Sequence, residues 1–165
     1  MNLKLFIPLF VAVGLAFPVA APSARKNSHI YATWQYVEMD RAASTWLIKR
    51  FVDKDAEFRV VKNGILIKEG IPFDTPDSEL RRDRNVTTFE AILRKHKIKN
   101  SALDYIAKIV WDMEVNVWDK KITPESRGVN AVVVGLSRIS KNDVECYKKC
   151  WPVFDALYAE VRSRK

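Results

Sequence analysis

The chain has 165 residues, 48% of them hydrophobic, enough for one domain with a real core. Lys and Arg number 28 against 20 Asp and Glu, a formal charge of +8 that favours anionic partners but says nothing about fold. With only two histidines, a histidine-rich metal site is excluded.

A short basic start, Met1-Asn2-Leu3-Lys4, precedes an apolar run over residues 5–21, and small residues (Ala20, Ala21, Ser23, Ala24) follow. That order is the pattern of a secretory signal peptide. Residues 1–23 are therefore expected to be a leader and 24–165 a single exported domain, periplasmic or secreted. An uncleaved membrane anchor is the alternative, but the run is short and broken by Pro8 and Pro18. On this reading the membrane is a partner only during export.

Ile30 to Met39 is rich in aromatic and β-branched residues and reads as a strand leading into a helix at Asp40. In that helix Asp40 is the expected N-cap. Ala43, Leu47, Ile48, Phe51 and Val52 share one arc at about 100° per residue, with Trp46, Lys49 and Arg50 mostly outside it. Arg41 and Ser44 fall inside the apolar arc, in the first turn. A guanidinium and a hydroxyl beside free N–H groups describe an anion site. The competing reading pairs Arg41 with a structural carboxylate from another element.

Ala56 to Val61 reads as a second strand, and Asn63-Gly64 is expected to turn it into a hairpin with Ile65-Leu66-Ile67. Pro72 and Pro76 make the next stretch a rigid connector, unfit for helix or central strand. A charged loop with Arg81, Arg82 and Arg84 follows. Thr87-Thr88-Phe89-Glu90 matches a capping box, and Ser101 opens another helix with Leu103, Ile106, Ala107 and Val110 in helical spacing. A looser segment is expected over residues 111–123. Pro124 can start a short helix through Val134, whose valines also suit a strand, and Asn142-Asp143 caps a last helix that Pro152 should kink. Strands first and helices after predict an α+β fold: a small N-terminal sheet or hairpin, then a mainly helical half.

The chain carries no phosphate-binding glycine loop, nucleophile elbow or zinc-protease helix motif. Cys146 and Cys150 are its thiols. Their i, i+4 spacing strains a disulfide, which leaves reduced core thiols, a reducible bond or a soft-metal pair as readings. The arginine loop is a second candidate for anion contact, with Glu90 and Asp83 as its internal counter-charges.

The stretch Asp40-Arg41-Ala42-Ala43-Ser44, with Trp46-Leu47-Ile48-Lys49-Arg50-Phe51-Val52-Asp53, resembles the signature of the C-terminal domain of the chromate-resistance protein ChrB. Ala56-Glu57-Phe58, Ile71-Pro72-Phe73-Asp74, Thr88-Phe89-Glu90, Ile109-Val110 and Phe154-Asp155-Ala156-Leu157-Tyr158 agree in order. The resemblance spans Val37 to about Glu160 and points to the short branch called chromate resistance exported protein. It implies a histidine where this chain has Arg82, and another where it has Trp111. Chromate is a tetrahedral dianion, so the expected oxyanion ligands are Arg41, Ser44 and Arg82, supported by the acidic Asp40 and Glu90. Cys146 and Cys150 are the candidate redox pair. No metal, cofactor or nucleic-acid partner is expected. A chromate-transforming enzyme and a DNA-binding regulator are the alternatives.

Overall fold

The computed structural model describes residues 29–164, so the expected leader lies outside the described residues. Three short strands form a parallel sheet: β1 (Ile30–Trp34), β2 (Glu57–Val61) and β3 (Ile71–Pro72), in the order β2-β1-β3. Five helices follow the chain: α1 (Met39–Leu47) with a π-helical turn at Ile48–Val52, α2 (Thr88–Lys95), α3 (Ser101–Glu114), α4 (Ser126–Arg138) and α5 (Asp143–Ser163). The fold is α+β, with a small N-terminal sheet and a mainly helical remainder.

The expected hairpin after β2 does not form. Parallel neighbours need a long crossover, and α1 supplies it between β1 and β2. Ile65 and Leu66 are exposed, so a returning strand there would have covered no core. The chain instead loops back to the other side of β1, where Pro72 sits on an edge strand, as a residue without an N–H should. Gly70 makes this approach feasible: its φ is 86°, and a Cβ there would lie 2.6 Å from the Ile30 carbonyl oxygen.

Helix α1 is the centre of the molecule. It touches α2, α3, α4 and α5, and all nine of its residues are buried. A one-faced wheel therefore misplaces Trp46, which is fully buried among Phe51, Phe89, Phe154 and Tyr158 at centroid distances of 5.2–6.4 Å for the ring pairs in this cluster. Burying a tryptophan this way is worth about 5 kcal/mol of transfer free energy. Its indole N–H donates to Asp155 Oδ1 at 2.8 Å, and Arg50 donates to both oxygens of the same carboxylate.

The capping box is present: Thr87 Oγ1 accepts from the Glu90 N–H, and the Glu90 carboxylate accepts from the Thr87 N–H. Helix α3 opens at Ser101 as expected, and Asn100 caps it. That helix continues through Trp111 to Glu114, where a looser segment was expected. Residues 126–138 are helix, not strand, and α5 runs through Pro152 without a break.

Candidate functional site

The strand order puts a topological switch point between β1 and β3, since the chain leaves β1 toward β2 and returns on the opposite side. In open α/β sheets the crevice beyond the carboxyl ends of such strands is the usual ligand site. Here a cleft of about 520 Å³ opens, lined by Trp34, Glu38, Arg41, Asp74, Thr75, Pro76, Arg81 and Arg82. Tyr36 (φ 79°) and Asp74 (φ 51°) both hold left-handed backbone at this end of the strands, a strain that concentrates at functional sites.

Asp74 is the hub. Its carboxylate accepts from Arg41 Nε at 2.9 Å, from Arg82 Nε at 3.1 Å and from the Thr88 hydroxyl at 2.7 Å. Arg41 Nη1 also donates to the Gln35 and Tyr36 carbonyls, and Nη2 reaches the Asp74 carbonyl at 3.5 Å. Each Arg41 nitrogen is thus engaged inside the protein, as the structural ion-pair reading requires.

Asp40 corrects its expected role. The N-cap of α1 is Glu38, and Asp40 is fully buried inside the helix. Its carboxylate accepts from the Thr88 and Phe89 N–H groups at 2.6 and 2.9 Å, so it caps α2 instead. The Ser44 hydroxyl donates to it at 3.2 Å and faces no open space. The N–H of Asp40 itself donates to the Glu114 carboxylate at 3.2 Å. The Glu114 carboxylate therefore holds one of the first-turn N–H groups that seemed available for an anion.

Arg82 bridges the cluster, donating to Glu38 at 2.5 Å, Asp74 at 3.1 Å and Glu114 at 3.0 Å, with Asp40 at 4.0 Å. Two guanidiniums meet four carboxylates. Burial and the neighbouring Asp74 charge push Asp40 up to about 7, against the pull of Arg82 and the α2 N–H groups. Burial likewise raises Glu114. Arg81 stands apart: it donates to the Pro76 carbonyl and has no carboxylate partner among the described residues. Neither Glu90 nor Asp83 pairs with Arg81 or Arg82. Glu90 serves the α2 cap, and Asp83 accepts from the Arg84 N–H.

Cys146 and Cys150 are free, buried thiols with sulfurs 3.9 Å apart. Burial raises both above their ordinary value, which disfavours the reactive thiolate. His29 pairs with Asp53, away from the cleft lining.

Sequence reasoning missed a second polar centre. Asp112 is fully buried on α3, and its carboxylate accepts from the Asn116 amide, the Ile122 and Thr123 N–H groups, and the Thr123 and Ser126 hydroxyls. Burial alone would raise it, but these donors hold it well below the usual carboxylate range. The available signal was Thr123-Pro124-Glu125-Ser126, polar residues around a helix-starting proline that need an acceptor. Asp74 was visible only as part of a motif. Nothing local marked it as the partner of an arginine 33 residues away.

Arg82 and Trp111, the positions where the resemblance implied histidines, lie on the same side of the molecule. Arg82 meets Glu114, one helical turn beyond Trp111, whose indole donates to the Asn85 carbonyl of the arginine loop. Comparison with curated proteins and with solved structures gives no significant match. The family described as "ChrB, C-terminal domain" matches residues 31–161, nearly the whole described chain. The chain belongs to the ChrB C-terminal domain family, which ties it to chromate resistance.

Proposed function

We infer that the protein is an exported binding protein for chromate-like oxyanions, with the cleft at the carboxyl end of the sheet as its site. One observation carries this reading: Arg81 and Arg82 face the same cleft, and each has one attachment there that an anion can displace. Among the described residues Arg81 holds only a carbonyl, and the Arg82–Glu38 pair is substantially exposed on both sides. Exposed pairs of that kind are worth about 0–1 kcal/mol, so a dianion can compete with Glu38 for Arg82. Arg41 and Ser44 form the floor rather than the contact surface, because their donors are already used. Export rests on the basic, apolar and small-residue order of the first 24 positions.

Chromate and sulfate titrations by calorimetry test the site. Arg81→Ala should weaken both by about tenfold, the loss of one charge-assisted hydrogen bond, with the unfolding midpoint unchanged. Glu38→Gln should tighten binding, because it removes the internal competitor. Unchanged affinity in both variants would reject the cleft. Sulfate should compete with chromate, since a pair of guanidiniums reads charge and size rather than the central atom.

A further inference from the structure

The loop between α3 and α4 exposes what a soluble protein normally hides. Trp118 is 95% exposed, and Val117 and Ile122 beside it are more than half exposed. By contrast, Trp46 is fully buried. This loop is also firmly built. Asp112 grips its far end through Ile122, Thr123 and Ser126. Asn116 bonds both Asp112 and the Lys120 carbonyl, and the Lys121 ammonium donates to the Asn116 and Val117 carbonyls. A framework of that kind presents the indole outward by construction.

The surroundings are basic. Lys120 and Lys121 follow Trp118 in the chain. Ile122 and Trp111 also line a groove of about 680 Å³ between α2 and α3, which carries Arg94, Lys97, Lys99 and Lys108. None of these four cations is in an ion pair among the described residues. The opposing carboxylates are Glu90, which is occupied by the α2 cap, Asp104, and Asp119 on the loop.

We propose that this loop docks the protein on an anionic lipid surface, with Trp118 as the interfacial anchor and the basic groove facing the headgroups. Tryptophan favours the boundary between headgroups and hydrocarbon, where its ring is shielded and its N–H stays wet. Juxtaposed lysines add attraction to anionic lipid. A protein partner fits less well, because lysine is depleted at protein interfaces whereas it surrounds this small apolar tip. No helix of the described residues is long and apolar enough to cross a membrane, so this contact is peripheral.

Vesicle co-sedimentation of the full chain tests the proposal, comparing phosphatidylcholine alone with phosphatidylcholine containing phosphatidylglycerol. Binding should require the anionic lipid and weaken with salt. Trp118→Ala should reduce it about tenfold at an unchanged unfolding midpoint, and removal of Lys97 or Lys99 should cost about fivefold each. Equal binding to both vesicle types overturns the proposal. So does binding that persists in Trp118→Ala, which would place membrane attachment outside this loop. Trp118-dependent self-association without vesicle binding would also overturn it and make the surface a contact between copies.

Discussion

Two aspartates, both fully buried, live in opposite electrostatic worlds. Asp112 is in no ion pair among the described residues, yet its carboxylate is stabilised because neutral donors from α3, the following loop and α4 converge on it. Asp40 accepts two helix N–H groups and a hydroxyl and has Arg82 nearby, yet it is pushed up to about 7. Burial weighs most on Asp40, and Asp74 adds to it. Burial and a second carboxylate sharing the same arginine together raise the cost of the charge more than Arg82 and the donors lower it. Donors aimed at one anion make a rigid staple, whereas charges shared among several anions make a site that can exchange partners.

The largest test of this contrast is Arg41→Ala. It leaves the buried Asp74 carboxylate and two carbonyls short of a donor, and should cost about 3–5 kcal/mol of stability in urea unfolding. A loss confined to oxyanion affinity would show that Arg41 is a ligand and not the floor of the cleft. Asp112→Asn comes next, at about 2–3 kcal/mol, because an amide can accept through only one oxygen. Its stability should also lose part of the wild-type sensitivity to acid. The Asp112 contribution is present above the ordinary value of 3.8 and fades as the pH falls below it, since the folded state holds this group lower.

Asp40 predicts the opposite slope. It binds its proton more tightly in the folded state, at about 7, than in the unfolded state, at 3.8. Its contribution to stability is therefore greatest below 3.8 and declines as the pH rises toward 7. Asp40→Asn should flatten that decline, worth on the order of a few kcal/mol, in unfolding measured across the pH series. An unchanged slope would assign the effect to Glu114, which burial also raises. The smallest effect belongs to Ser44→Ala, which removes one neutral donor from Asp40 and should cost about 1 kcal/mol.

The helices were legible because their signals are local. The Thr87 capping box, the apolar spacing of α3 and the Asn142 cap each fall within one turn of what they specify. Arg41 and Ser44 stood out inside an apolar arc, and the family signature around them was readable. Their partners were not. Asp74 and Thr88 arrive from 33 and 48 residues beyond Arg41 and Asp40, and no periodicity encodes such pairings. Strand direction was hidden for the same reason: a turn signal at Asn63-Gly64 says that the chain bends, not which edge it rejoins. Trp46 was misplaced because a wheel assumes one wet side, and α1 has none.

The enclosure of α1 also governs the order of assembly. The helix begins at Met39, but one of its walls is α5, which starts at Asp143. Trp46 meets Phe154 and Tyr158 only when more than nine-tenths of the chain is available. Contacts at such separation close late, since the loop-closure entropy precedes the reward. A truncation before α5 would strip Phe154 and Tyr158 from the central tryptophan and leave it only the cover of Phe51 and Phe89.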